Sequence, residues 1–262
     1  MGKKVIVIGT GNLAWHLVPN LQQIGLSVDI WSRLAEKSRT VEKWTAPIQS
    51  WPLYSTETPS ATELAAIFLA IPDDYIIEIS QRLATLFPPE IPIIHTSGAT
   101  STDRITNHFT KRAALWPIRS LRKGEYVPNW QDLPLAYYCT EPNFETTLAV
   151  WAGTLSKLTY RLDDEQRAQL HLAAVFSNNF TTWLCQIAYE LCMEHEIPFS
   201  ALVPIIKNTF SKIDATEPAL RQTGAAIRGD MATMERHEDL LKNHLEYAEL
   251  YRMMSQLIMG YK

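Results

Sequence analysis

A chain of 262 residues, 46% hydrophobic and 20% charged, suffices for one extended domain or two unequal ones and is too apolar to be disordered over most of its length. With 24 Lys and Arg against 28 Asp and Glu, a net charge of -4 offers no basic field for a nucleic-acid backbone. The strongly apolar runs, Val5–Ile8 and Ala65–Ile71, fall far short of the roughly 20 residues that span a bilayer, so no membrane segment is expected.

Lys3 and Lys4 precede an apolar run, but Gly9, Gly11 and Asn12 interrupt it and no small-residue cleavage site follows. The N-terminus therefore reads as mature and the protein as cytoplasmic. Three widely spaced cysteines, Cys139, Cys185 and Cys192, fit buried thiols in a reducing compartment better than disulfides or a zinc site.

The first element is a strand, Lys4–Ile8, followed by G-T-G-N-L-A and then a helix over residues 13–24 that tolerates Pro19 and ends at Gly25. A G-x-G-x-x-A turn between strand and helix is a dinucleotide fingerprint. Gly9 permits the tight turn, Gly11 lets a pyrophosphate approach the backbone, and Ala14 is small enough for helix–strand packing. The backbone of Gly9, Thr10, Gly11, Asn12 and Leu13 is then expected to hold the phosphates at the helix N-terminus.

The second strand, Ser27–Trp31, carries Asp29 too early to accept from a ribose hydroxyl, and its tip is Ser32-Arg33, with Lys37 one turn later. A hydroxyl followed by a guanidinium suits a 2′-phosphate, so NADP is favoured over NAD. The alternative is Ser32 as a helix N-cap and Arg33 as a solvated side chain.

Further strands are expected at Ala66–Ile71, Ile93–Thr96, Ala113–Pro117, Leu135–Cys139 and Leu158–Leu162. The alternation with helical patterns is that of βαβ units around a parallel sheet. Two strand ends should line the ligand crevice. At A-I-P-D, Ala70, Ile71 and Pro72 would bracket the ribose or nicotinamide, with Asp73 as a helix N-cap. At H-T-S-G-A, His95, Thr96 and Ser97 would offer polar groups to a substrate, and Gly98 would allow close approach.

From Asp163 the strand signal stops. Asp163 and Gln166 form a capping box opening a long, mostly buried helix to about Glu196, ended by Pro198. Ser200, Asp230 and Asn243 with Glu246 would start three more helices, the last running to Gly260. The fold class is thus α/β, an N-terminal Rossmann NAD(P)-binding domain over residues 1–163, followed by an all-helical domain over 164–262.

His171 and Asn178, seven apart, would share a helix face. His171 reads either as a proton carrier or as a hydrogen-bonded core residue. At least one of the amides Asn178 and Asn179 should have a specific partner. Arg228, in T-G-A-A-I-R-G-D, would bind a substrate carboxylate or pair with an acid at a domain junction. His237, His244 and the Glu194-His195-Glu196 cluster lack metal-ligand spacing, so no metal is expected. The methionines and aromatics of the last helix read as core or a dimer seam, and Trp116 and Trp130 as core or cleft wall.

With G-T-G-N-L-A, W-S-R, A-I-P-D and H-T-S-G-A in this order, the first half resembles the NADP-binding half of pyrroline-5-carboxylate reductases and coenzyme F420-dependent NADP oxidoreductase-like proteins. His171–Phe180, Thr223–Asp230 and L-W-P-I-R-S-L (Leu115–Leu121) resemble Rossmann-like proteins with a DUF2520 C-terminal domain. That resemblance implies NADP binding and a helical domain like that of 6-phosphogluconate dehydrogenase relatives, which dimerise through those helices. It supplies no substrate. Two departures stand out. Where hydroxyacid dehydrogenases of this architecture carry K-x-x-x-N, this chain has His171 and Val175, and the S-G-x-G-P-A segment of pyrroline-5-carboxylate reductases is absent.

The expectation is an NADP-dependent oxidoreductase passing a hydride between the nicotinamide and a small carbonyl or imine. His95, Ser97, His171, Asn178 and Arg228 would surround the substrate, and the helical domain would form a homodimer. The alternative is a non-enzymatic NADP-binding sensor or regulator on the same scaffold.

Overall fold

The computed structural model describes residues 3–32, 48–50, 60, 62–125, 130–213 and 217–261. Its contacts divide the chain into two compact units, residues 1–177 and 178–262.

The first unit is built on an eight-stranded sheet: β1 Lys4–Ile8, β2 Ser27–Ser32, β3 Ile48–Ser50, β4 Leu64–Leu69, β5 Ile93–His95, β6 Arg112–Pro117, β7 Leu135–Cys139 and β8 Thr159–Arg161. The spatial order is β3-β2-β1-β4-β5-β6-β7-β8, parallel except where β7 runs against β6. The chain order reverses between β1 and β4, which is where an open parallel sheet leaves a crevice beyond its carboxyl ends. Seven of these strands fall within a few residues of their expected positions. β3 was not expected, because Ile48-Gln49-Ser50 is too short to show a period.

The helices α1 Asn12–Gln23, α2 Ile76–Ala84 and α3 Pro142–Leu155 cover the sheet. Successive residues of β1 alternate between two apolar layers. Val5 and Val7 join Leu17, Leu21 and Leu148 in one, while Ile6 and Ile8 join Ile76, Ile79 and Leu83 in the other. Burial on both faces explains why the central strands read as unbroken Val/Ile runs.

The predicted capping box at Asp163 is present: its carboxylate accepts from the Gln166 N–H at 2.9 Å, and Gln166 Oε1 accepts from the Asp163 N–H at 3.1 Å. It opens α4, Asp164–Ala174, which contacts place with the sheet, so the first unit runs beyond the expected boundary at 163/164. The expected single helix contains a π-turn, Val175–Phe180, before α5, Thr181–Glu194. That turn breaks the 3.6-residue period on which a shared face for His171 and Asn178 rested. Nor is this helical stretch mostly buried: Phe176 is 62% and Trp183 58% exposed, and both Asn178 and Asn179 are exposed.

The second unit holds α5 and the helices α6 Val203–Ser211, α7 Ala225–Arg228, α8 Met231–Leu240 and α9 Leu245–Gly260. Asp230 caps α8 as expected, accepting from the Thr233 N–H at 3.1 Å. Ser200 is no cap; a short 3-10 turn, Phe199–Ala201, precedes α6, whose first turn holds Pro204. His244, not Asn243, sits at the N-cap of α9, its ring nitrogen 2.8 Å from Glu194. Cys139, Cys185 and Cys192 are free thiols. Among the described residues no helix is long and apolar enough to cross a membrane.

Candidate functional site

The glycine turn behaves as its pattern requires. Gly9 has φ +113°, and a Cβ there would lie 2.2 Å from the Ala70 carbonyl oxygen, because the end of β4 stays close alongside, the Ala70 N–H donating to the Ile8 carbonyl at 2.9 Å. Only glycine fits. A Cβ on Gly11 would meet nothing within 4 Å, leaving open space above the N-terminus of α1. No side chain caps that helix and its first turn holds no acid, so its leading N–H groups and partial positive charge face outward. Asn12 is occupied elsewhere: its Oδ1 accepts from the Lys123 N–H at 3.2 Å, pinning the segment after β6 over the turn. Leu13 is half-buried behind it.

Beyond the turn lies a cavity of about 310 Å³ between the ends of β1, β2 and β4 and one face of α2. Of the residues expected to bind a cofactor, Gly9, Thr10, Gly11, Ser32, Ala70, Ile71 and Pro72 line it. Thr10 Oγ1 and Ser32 Oγ lie 3.2 Å apart, tying the turn to the tip of β2. Asp29 sits within β2, where Lys4 Nζ pairs with it at 3.1 Å, so it is unavailable to a ribose, as its position suggested. Arg33 and Lys37 lie outside the described residues.

A second group of polar side chains gathers at the end of β5. Asp73 is not an N-cap: the 3-10 turn Asp73–Tyr75 has no side-chain cap. Its carboxylate instead accepts from Ser97 Oγ at 2.5 Å and from Thr100 Oγ1 at 2.8 Å. The loop that lines the cavity is thereby linked to the H-T-S-G-A turn. From the other side α4 holds the same turn. Asp164 Oδ2 accepts from Ser101 Oγ, the Thr102 N–H and Thr102 Oγ1 at 2.7–2.9 Å. Arg167, wholly buried, donates to the Thr100 carbonyl and pairs with Asp164 Oδ1 at 2.6 Å. Burial works against the Asp164 carboxylate, but hydrogen bonds from Thr102, Arg167 and Ser101 outweigh it and hold its pKa below the usual value.

His95 lies inside this frame, 0% exposed, and its Nδ1 accepts the Ser97 N–H at 3.2 Å. That bond assigns the proton of the neutral ring to Nε2. Burial first, and the Arg167 guanidinium second, push its pKa down to about 3. A ring that stays neutral and buried near pH 7 anchors the turn through Nδ1 and keeps its proton on Nε2. Ser97 is half-buried at the turn's outer side and Thr96 is buried, donating to the Leu69 carbonyl at 3.2 Å.

One turn after Arg167, α4 presents His171. Its half-buried ring lies 5.5 Å, centroid to centroid, from that of Trp116 at the end of β6. Gly98 underlies both: a Cβ there would come within 2.5 Å of Trp116 and 2.6 Å of His171. No hydrogen bond engages the imidazole among the described residues, so His171 is not the hydrogen-bonded core residue of the alternative reading. The structure thus brings together Ser97, Gly98, Trp116 and His171 in one unit. Asn178 and Arg228 belong to the other unit, where Arg228 is exposed, 4.0 Å from Asp230. Gly224 precedes α7 with φ +108°.

Several residues were not singled out from the sequence. Asp164 and Arg167 stand seven and four positions before His171, on the face of α4 that meets the turn; that spacing was legible, although nothing distinguished them from solvated charges. Tyr75, just before α2, and Glu78, Ile79 and Arg82 within it line the cavity at helical spacing.

Residues 140–258 match the model of a domain of unknown function, DUF2520. Among curated proteins, none matches the chain. Among solved structures the chain is similar to BF3122 of Bacteroides fragilis, named as a candidate NADP oxidoreductase, at 28% identity and TM-score 0.83 over 98% of each chain. It shares its fold with an imine reductase from Myxococcus stipitatus solved with NADP+, at 14% identity and TM-score 0.69, over 97% of this chain and 92% of that one. It shares it also with 1-pyrroline-5-carboxylate reductase from Streptococcus pyogenes, at 13% identity and TM-score 0.60 over 98% of each. The architecture is the expected one, a Rossmann-type sheet followed by a helical region, and the match to DUF2520 covers most of the part after β7.

Proposed function

We propose that this protein is an NADP-dependent oxidoreductase that reduces, or in reverse oxidises, a small carbonyl or imine. The observation that carries the reading is the link from the glycine-turn cavity through Asp73 to a turn faced by an imidazole with unengaged nitrogens. Gly9 and Gly11, with the uncapped α1 N-terminus, fit a dinucleotide diphosphate, and bound nicotinamide would supply the hydride. Reduction of C=O or C=N also needs a proton on the heteroatom. His171, half-buried and free to rotate its donor toward a substrate, is the residue for that step, with Ser97 as a hydrogen-bond partner and Trp116 as an apolar wall that excludes water. The relatives named for NADP oxidoreductase and imine reductase activity support this class of chemistry.

NADP over NAD rests on Ser32-Arg33 in place of an acid at the tip of β2. The sensor reading is favoured by one observation, the absence of the K-x-x-x-N pair at His171 and Val175. A screen of aldehydes, ketones and cyclic imines following NADPH oxidation at 340 nm decides between them. Turnover that His171→Ala abolishes while NADPH still binds supports the enzyme, and tight binding without turnover of any substrate class supports the sensor. Asn178→Ala and Arg228→Ala in the same assay test whether the helical unit contributes to the substrate site.

The exposed apolar side chains Phe176, Phe180 and Trp183 along the helical stretch support a homodimer formed there. Light scattering is expected to give twice the chain mass at micromolar concentration, and the monomer mass throughout would refute the dimer.

A further inference from the structure

The cavity beyond the glycine turn has a wall the sequence did not point to. Tyr75, at the start of α2, and Glu78, Ile79 and Arg82 along it line the cavity together with Thr10 and Ser32. Among its described lining residues the charged side chains are Glu78 and Arg82, and they pair with each other at 2.8 Å, both about half exposed. In a Rossmann crevice the diphosphate lies on the first helix N-terminus, and the adenosine ribose lies toward the tip of the second strand. Ser32 is that tip, so the ribose 2′ position falls between Ser32 and the α2 wall. A 2′-phosphate adds close to two negative charges there. Facing Glu78 alone it would be repelled. Arg82 cancels that repulsion, and beyond its bond to Glu78 the guanidinium has no other partner among the described residues, leaving a fork of N–H donors matched to phosphate oxygens. An exposed i,i+4 pair is weak enough for a doubly charged oxyanion to compete for the arginine.

We infer that Arg82 determines preference for the phosphorylated dinucleotide, gripping the 2′-phosphate from the α2 wall, with Glu78 as its resting counter-ion. The inference rests on the proposed NADP-dependent reading and adds to it a second cation, on another element and independent of Arg33.

Tryptophan quenching in the full-length protein tests it, since Trp31 lines the cavity. The ligands are NADPH, NADH, adenosine 2′,5′-bisphosphate and ADP. Arg82→Ala is expected to weaken NADPH and the 2′,5′-bisphosphate about tenfold while NADH and ADP change less than about twofold. Arg82→Lys should recover part of the loss, because it restores charge without the fork. Glu78→Gln should tighten the two 2′-phosphorylated ligands a few-fold and leave the others alone. Equal loss across all four ligands in Arg82→Ala would mean stacking on the adenine or a disturbed fold, and overturns the inference. So does unchanged NADPH affinity in Arg82→Ala, or a Glu78→Gln effect shared by NADH. If the unaltered protein binds none of the four, the NADP reading falls with the inference; if it binds NADPH well and the Arg82 variants do not discriminate, only the inference falls.

Discussion

Acidification offers the sharpest test of the frame behind the H-T-S-G-A turn. His95 is wholly buried and titrates at about 3 in the folded protein, because burial and then the Arg167 guanidinium oppose its charged form, with Asp164 and Asp73 offsetting only part. Unfolded, the same ring returns to about 6.5. Above pH 6.5 it is neutral in both states and contributes no pH dependence. Between the two values the unfolded chain binds the extra proton, so stability falls with falling pH at a limiting slope of about 1.4 kcal/mol per unit. From pH 7 to pH 5 the loss amounts to about 2 kcal/mol, and the figure is nearly the same for any folded pKa below about 4. Asp164, with its pKa held down, gives up its stabilisation only as pH falls through the lower carboxylate range, so it does not overlap this window.

The comparison protein is His95→Asn, whose side-chain oxygen can still accept the Ser97 N–H but cannot titrate. Urea unfolding of both proteins at pH 7, 6 and 5, with the midpoint and slope fitted separately, isolates the histidine as a difference in pH dependence rather than in absolute stability. The variant should be less stable at pH 7 and should lose about 2 kcal/mol less on going to pH 5. Parallel pH dependence in the two proteins would show that His95 gains a proton in the folded state near its ordinary pKa, and the account of a neutral, turn-anchoring ring would be wrong.

Three further outcomes follow from the same geometry. Gly9→Ala puts a methyl 2.2 Å from the Ala70 carbonyl oxygen at φ +113°, so a cost of about 3 kcal/mol or more is expected, read as a thermal midpoint lowered by several degrees together with loss of NADPH binding. Gly98→Ala must push apart the rings of Trp116 and His171; destabilisation of about 1–3 kcal/mol is expected, and turnover should fall more than NADPH affinity, whereas a fully active variant would remove that contact from the site. Asp73→Ala leaves Ser97 and Thr100 without their shared acceptor at an exposed position, so stability should fall by only about 1 kcal/mol while kcat drops and the NADPH Kd changes little; an equal change in both would place the loop's function in the cavity instead.

The sheet and the glycine turn were legible because each rests on local rules. Buried Val/Ile runs name the central strands, and a G-x-G-x-x-A between strand and helix leaves few conformations for Gly9 and Gly11. The capping box at Asp163 is equally local. What escaped depends on partners distant in sequence. Asp73 reads as an N-cap because an Asp before a helix usually is one, and only the fold brings Ser97 and Thr100 to it. His95 reads as a polar group in a turn after a strand, and only the fold shows how completely its ring is buried, with Nδ1 taken by the Ser97 N–H. The long helix reads as buried because its apolar content suits a core, whereas along one chain that face is exposed. Periodicity reports that a face is apolar and leaves open whether the same chain or a second copy covers it.

Two histidines stand beside the H-T-S-G-A turn in different surroundings. His95 lies three residues before Gly98 in the chain, and the His171 ring on α4 packs against Gly98. His95 is enclosed, bonded to its own turn and subject to the field of Arg167, which together hold it neutral. His171 is half-buried, without a hydrogen bond to the ring among the described residues, and tilted at 52° to the Trp116 ring. In the proposed reductase, the imidazole that faces the substrate would need a rigid support to keep it in place. Arg167 serves that support directly: by binding the Thr100 carbonyl from the turn before His171, it fixes α4 to the loop that Asp73 ties to the cofactor cavity. Arg167 thus adds to burial in keeping His95 neutral, and its bond to the Thr100 carbonyl also holds α4 against the turn that carries Gly98.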